Sequence, residues 1–315
     1  MKLAQYLAFA TVVMTLVLIA VGVLVRATGS GLGCPDWPLC HGGVVPPEHK
    51  HAMIEMSHRY TASLVGFMVI GVAALAWRYY RHVPLVFWTA LITVPLVGFQ
   101  GILGAITVVR ELPPEIVATH LLTAMIVLSC EVTVAIGMYI EDPSRDSRRL
   151  TAARTAFRPS GRWALAGLVW LAVTLWVGGY MTESGAATAC SGWPLCNGSV
   201  VPGADDHEVT HMLHRYLAGL FAILIVGFTV AAWKARDRAP WAPILGFAVA
   251  ALYTAQVIVG ALNVWMTFPD PLTISHTVIA SLVWFTLSSA ALLAWYQPVA
   301  AQRRIESLAG GKVPA

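Results

Sequence analysis

A single offset of 156 residues, with no gap, lays the second half of the chain on the first. Under it Cys34 pairs with Cys190, Trp37-Pro38-Leu39-Cys40 with Trp193-Pro194-Leu195-Cys196, and Pro46 with Pro202. The same shift pairs His58-Arg59-Tyr60 with His214-Arg215-Tyr216, Gln100 with Gln256, Gly104 with Gly260, Pro113 with Pro269 and His120 with His276. A period this long exceeds the roughly 20 to 50 residues of a solenoid unit. Each half is therefore expected to be a bundle in its own right, the two arising by duplication and fusion of one ancestor.

Composition identifies the solvent of those bundles. Hydrophobic residues make up 57% of the chain, charged residues 11%, and mean hydropathy is +0.70. A surface built from such a chain faces lipid. Apolar runs long enough to cross about 30 Å of hydrocarbon at about 1.5 Å per residue are read at 5–25, 53–77, 83–107, 115–140, 163–181, 209–233, 241–265 and 272–296. The expected fold class is an all-α integral membrane protein of eight transmembrane helices, arranged as two tandem four-helix bundles. The first run is longer than a signal-peptide core and lacks a small-x-small cleavage site, so it is read as a retained helix.

Lys and Arg residues fix the orientation, because cytoplasmic loops retain positive charge. Fifteen of the 20 basic residues fall at one set of helix ends, including Arg78, Arg81, Arg154, Arg158, Arg162, Lys234, Arg236 and Arg238. Arg26, Lys50, Arg59, Arg110 and Arg215 fall at the other. Both termini are expected in the cytoplasm. The net charge of +4 is thus a topology signal, and no basic face or motif for nucleic acid accompanies it. The expected organisation is an N-terminal bundle over 1–140, a polar, Arg-rich cytoplasmic linker over 141–162 with Pro143 and Pro159, a C-terminal bundle over 163–297 and a cytoplasmic tail over 298–315.

The long extracytoplasmic loops, 26–52 and 182–208, carry Cys34, Cys40, Cys190 and Cys196 as two C-x5-C pairs. They lie in the compartment where disulfides persist, at a spacing unlike a C-x2-C zinc or thioredoxin-type motif. Each pair is read as a structural disulfide in a compact lid, with a redox or relay role for the first pair left open. Cys130 lies alone in the fourth run and is given no function.

Four histidines at matched depth carry the chemistry. A histidine inside a membrane helix is costly and normally faces the bundle interior with a partner. His58 and His120 in the first half, and His214 and His276 in the second, lie near the outer ends of even-numbered helices. Those helices run parallel, so the two rings of each half can face one another, as axial ligation of haem iron requires. Hydrogen bonding without a cofactor and a zinc or copper site are the competing readings; the latter would need three or four converging ligands per half.

Glu55 precedes His58 by three residues on the same helix face, and its counterpart is His211. The acid is present in one half only, so one site is expected to perform chemistry, with Glu55 handling a proton, while the other stores or relays electrons. Arg59 and Arg215 are candidates for pairing with haem propionates, or else interfacial anchors. Gln100 and Gln256 are expected to make interhelical hydrogen bonds, and Glu131 is an unmatched intramembrane acid, structural or on a proton path.

Taken together, the run from Gly29 to Cys40, the segment Glu55-Met56-Ser57-His58-Arg59, Gln100 to Gly104 followed by Thr107-Val108, and Leu112-Pro113-Pro114 with His120 resemble the haem A synthase family over essentially the whole chain. The resemblance implies an eight-helix enzyme of the bacterial plasma membrane or mitochondrial inner membrane, here expected in the former, that oxidises the C8 methyl of haem O to a formyl group. It implies that His58 and His120 flank the substrate haem with Glu55 as catalytic acid or base, that His214 and His276 ligate a haem b, and that Cys34 and Cys40 are the family's loop cysteines. Membrane lipid is an expected partner. A haem O synthase, an electron donor and a homo-oligomer stay open as others, and neither a direct role for oxygen nor a family role for His211 follows. A dihaem electron-transfer cytochrome b and a haem carrier are the alternative functions.

Overall fold

A computed structural model describes residues 1–142 and 147–296. Among them are eight membrane-length apolar helices: α1 Lys2–Ala27, α2 Lys50–Tyr79, α3 Pro84–Val109, α4 Pro114–Ile140, α5 Ser147–Glu183, α6 Asp206–Lys234, α7 Ala242–Trp265 and α8 Asp270–Trp295. A single 3-10 turn, Ala186–Thr188, follows α5. The chain is an all-helical, multi-pass membrane protein, and the helices coincide with the expected runs to within a few residues at all but one end.

The exception is α5, which begins at Ser147 within the expected linker and continues through Pro159. A proline inside a helix costs about 3 kcal/mol. Phe157 offsets that: it is fully buried, edge-on to Phe228 at 6.3 Å and to Trp241 at 4.8 Å. Burial of such a side chain is worth about 1.5–3 kcal/mol, and each ring pair about 0.5–1.5 kcal/mol. Arg154 also donates to the Tyr296 carbonyl at 2.7 Å. Residues 143–146 of the expected linker and the tail from 297 onward lie outside the described residues.

Helix ends repeat at the 156-residue offset. Glu111 and Leu112 (φ 56° and 61°) after α3, and Thr267 and Phe268 (φ 60° and 57°) after α7, are left-handed. The Leu112 N–H returns to the Thr107 carbonyl at 2.8 Å and the Phe268 N–H to Asn263 at 2.7 Å. Both closures satisfy terminal carbonyls that lipid could not. Pro113 and Pro269 then sit at the N-caps of α4 and α8, each followed by a proline in the first turn.

The most enclosed helices are α4 and α8. They meet where the halves meet: Ser129 Oγ lies 2.9 Å from Ser288 Oγ and accepts from Trp284 Nε1 at 2.8 Å. Small hydroxyl side chains are what close helix approach in lipid favours. Nearer the outer surface, Trp176 Nε1 donates to Thr119 Oγ1 at 3.2 Å, and Arg26 pairs with Glu183 at 3.3 Å.

Candidate functional site

The outer end of each half is capped by its cysteine loop. Cys34 and Cys40 form a disulfide, as do Cys190 and Cys196, and all four residues are buried. The peptide bonds Trp37-Pro38 and Trp193-Pro194 are both cis. In each loop the chain turns back on itself, with the Cys40 N–H bonded to the Gly43 carbonyl and the Cys196 N–H to Ser199. Gly33 lets the first loop lie on α2, since a Cβ there would stand 2.5 Å from the His51 carbonyl carbon.

The arginine that follows His58 in one half and His214 in the other holds its loop down. Arg59 Nη1 donates to the Asp36 carbonyl at 2.8 Å, to Pro38 at 3.3 Å and to Leu39, and Nη2 reaches the Cys34 carbonyl at 3.4 Å. Arg215 Nη1 donates to Pro194 at 3.2 Å and Leu195 at 3.1 Å. Tyr60 and Tyr216 add hydroxyl bonds to the Val44 and Val200 carbonyls.

Glu55 and His211 occupy corresponding places in this clamp by different chemistry. Glu55 is buried; its Oε1 accepts from Arg59 Nη2 at 2.6 Å and its Oε2 from the Cys34 N–H at 2.8 Å. His211, equally buried, places Nδ1 3.1 Å from the Ala186 carbonyl and Nε2 2.9 Å from Arg215 Nη2. A guanidinium only donates and a carbonyl only accepts, so Nδ1 carries the proton and Nε2 the lone pair. Both nitrogens of His211 are thus engaged within the protein. The i, i+4 relation of Glu55 to Arg59 and of His211 to Arg215 was the sequence signal for this clamp; spacing alone did not rank it against the i, i+3 relation to the histidines.

Beneath the clamps, each of the four histidines lies against a glycine of the neighbouring helix. A Cβ on Gly22 of α1 would stand 3.0 Å from His58 Cε1, and one on Gly178 of α5 would stand 2.8 Å from His214 Cε1. A Cβ on Gly104 of α3 would lie 3.7 Å from His120 Cε1, and one on Gly260 of α7 would lie 3.1 Å from His276 Cε1. The pairs Gly22 and Gly178, and Gly104 and Gly260, are themselves 156 residues apart. The Gly22 and Gly178 cradles were legible only as glycines inside apolar runs.

The His214 and His276 rings face one another with centroids 6.5 Å apart. Two imidazoles on opposite sides of one metal, at bonds of about 2 Å, have centroids about 6 Å apart. His214 Nδ1 lies 3.3 Å from the Thr174 carbonyl, the orienting bond that a metal-binding imidazole usually makes with its other nitrogen. Nδ1 of His58, His120 and His276 is buried with no hydrogen-bond partner among the described residues. The ring spacing in the second half and the glycine cradles in both fit a haem better than a hydrogen-bonded pair. Among the described residues, no three His, Cys, Asp or Glu side chains converge to hold a bare metal ion.

Gln100 bridges α3 to α4, donating from Nε2 to the His120 carbonyl at 3.1 Å, while its Oε1 and that of Gln256 are buried without a partner. Glu131 and Cys130 lie deeper in the first half, away from this cluster.

Residues 5–288 match the profile of the COX15-CtaA family, described as cytochrome oxidase assembly protein. Among curated proteins, the chain is 31% identical to a Heme A synthase of Alkalihalophilus pseudofirmus over 278 residues, covering 87% of this chain and 91% of that one. It is 31% identical to the Heme A synthase of Shouchella clausii over 84% of this chain and 88% of that one. For the Heme A synthase of Geobacillus kaustophilus the figures are 29% identity over 99% and 98%. A profile match over nearly the whole length, on a fold with membrane-length helices and paired intramembrane histidines, places the chain in the COX15-CtaA family of cytochrome oxidase assembly proteins.

Proposed function

We propose that the chain is a haem A synthase, oxidising the C8 methyl group of haem O to a formyl group. The observation that carries this reading is the pair of histidines in each half, each ring seated against a glycine, in a chain 31% identical to proteins named Heme A synthase. Conversion of a methyl to an aldehyde takes two successive two-electron oxidations, through a hydroxymethyl and then a gem-diol that loses water.

The residues divide by half. His58 and His120 hold the substrate haem in the first half, and His214 and His276 hold a haem b in the second. The haem b, when bound, supplies a one-electron carrier. Glu55 is the acid or base of the first half: Arg59 balances its charge at Oε1, and Oε2 is the atom that exchanges the Cys34 N–H for a proton. Arg59 and Arg215 spend their Nη donors on the loops and on Glu55 and His211 respectively, so Nε–H of each would be the donor for a propionate. The disulfide loops are structural lids that exclude water from the chambers below. Matched clamps, cradles and helix ends support descent of the halves from one duplicated bundle. The basic residues at the inner helix ends support cytoplasmic termini in a bacterial plasma membrane.

The symmetry of the histidine pairs also suits a dihaem cytochrome b. Haems extracted from a host lacking its own haem A, expressing a haem O synthase with or without this chain, separate the two. Haem A or its hydroxymethyl precursor appearing only with this chain is the expected result. Unaltered haem O together with two haem b per chain would sink the synthase reading.

A further inference from the structure

The inner part of the first bundle contains a polar column that the clamps and histidines do not use. Glu131 of α4 is buried in the membrane core at 4% exposure. Thr15 of α1 donates to its Oε1 at 3.0 Å, and Oε2 has no partner among the described residues. Glu131 lines a cavity of about 10 Å³ together with Thr11, Thr93, Val69 and Val134. That is at the lower bound for one ordered water. Toward the inner end, Gln5 Nε2 donates to Asp142 Oδ2 at 3.2 Å and to the Met138 carbonyl at 3.1 Å. Lys2 pairs with Asp142 at 3.0 Å, and the Tyr80 hydroxyl donates to the Met138 carbonyl at 3.4 Å.

The buried polar side chains of this column have no counterpart in the second half. At the 156-residue offset Glu131 becomes Leu287, Thr15 becomes Leu171, Thr93 becomes Val249, Thr11 becomes Gly167 and Gln5 becomes Gly161. Leu287, Leu171 and Val249 are buried in the core, so the exchange is between interiors and not between lipid-facing surfaces. An intramembrane acid with one oxygen unpartnered is expensive, and where it recurs in one half only, packing does not account for it.

We propose that Glu131 is a proton-holding site that takes one proton from the cytoplasmic end of the first bundle when an electron enters the haem above it, a role that rests on the haem reading. Thr15 lies seven residues from Gly22, the cradle of His58, which is about 10 Å along α1. Charges separated by that rise plus the lateral offset between the helices, at an effective dielectric near 20, change each other's equilibria by about tenfold at most. The balance is one electron added at the haem and one proton added at the Glu131 carboxylate, so the apolar interior gains no net charge. Lys2, Gln5, Thr11 and Thr15 from α1, Tyr80 at the end of α2, Thr93 from α3, Cys130, Glu141 and Asp142 with α4, and Tyr296 after α8, which donates to Glu141 at 2.7 Å, are the polar and titratable groups on this side; the α2 residues lining the cavity are apolar.

The test is reduced-minus-oxidised infrared spectroscopy on the purified full chain loaded with haem O and reduced with dithionite. The expected result is a carboxylic-acid carbonyl band that grows on reduction, disappears in Glu131→Gln and shifts in Thr15→Val, which keeps the acid but removes its donor. The reduction equilibrium of the wild-type first-half haem should also change up to tenfold per pH unit, about 59 mV, and flatten in Glu131→Gln. A band that survives Glu131→Gln, or no band in a haem-loaded wild type, overturns the proposal. Product chromatography of the same preparation tests the synthase reading separately, because the band requires a reducible haem and not turnover.

Discussion

The glycine cradles give a graded prediction in which two effects of one substitution oppose each other. Gly→Ala inside a helix is ordinarily favourable by about 0.5–1 kcal/mol. At Gly178 the added methyl would stand 2.8 Å from His214 Cε1, 0.6 Å inside the 3.4 Å at which ordinary contact begins. Sites of this kind tolerate about 0.5 Å of misplacement. Loss of an orienting contact on a metal-bound imidazole typically weakens the metal about 10- to 100-fold, which is about 1.4–2.8 kcal/mol. The steric term therefore wins at Gly178. At Gly104 the methyl would meet His120 Cε1 at 3.7 Å, an ordinary contact, so the helix term wins there. Gly22 and Gly260, at 3.0 and 3.1 Å, fall between. The assay is haem content per chain by pyridine haemochrome after detergent washing, with thermal stability alongside. Gly178→Ala is expected to lose the second-half haem while Gly104→Ala retains a full complement. Equal haem content in the two variants would refute the argument.

The outer clamps make further predictions. Glu55→Ala should keep its haems and lose the aldehyde product, read by chromatography of extracted haems; undiminished product would remove Glu55 from the chemistry. Asp36 titrates below the usual carboxylate range, chiefly because the Gly42 N–H donates to it at 2.8 Å, with His41 N–H adding a second bond at 2.6 Å. That stabilisation of the loop is present above the ordinary carboxylate pKa and is lost as pH falls through the lowered one. Protection of the Gly42 N–H, as exchange relative to its intrinsic rate at each pH, should thus fall in acid in the wild type, and Asp36→Asn should remove that fall.

The fold was legible where the membrane dictates it. Hydropathy located the helices because lipid requires every backbone group to be bonded within its own segment. The start of α5 was not legible, because Pro159 and the arginines read as a linker, whereas the burial of Phe157 against α6 and the residue preceding α7 decides the matter in three dimensions. The four histidines stood out through their repeat spacing. Their glycine partners did not, since one glycine in an apolar run looks like any other until a neighbouring helix is placed against it. The sequence placed Glu55 on the helix face of His58 but did not show its partners, and both its oxygens prove to be engaged by Arg59 and the Cys34 N–H.

The exchange of Glu55 for His211 has a consequence for how long each chamber keeps its guest. In the first clamp the cation bonds an anion; in the second Arg215 bonds an uncharged imidazole, so the partner at that position does not balance the guanidinium charge. On the proposed division of the halves, an anionic propionate would be held harder beside Arg215, as a resident group needs, and less hard beside the Glu55-balanced Arg59, as a molecule that leaves once converted needs. His211→Glu should turn the second chamber into a leakier one, measured as faster haem loss to apomyoglobin, and unchanged loss would show that the caps do not set residence.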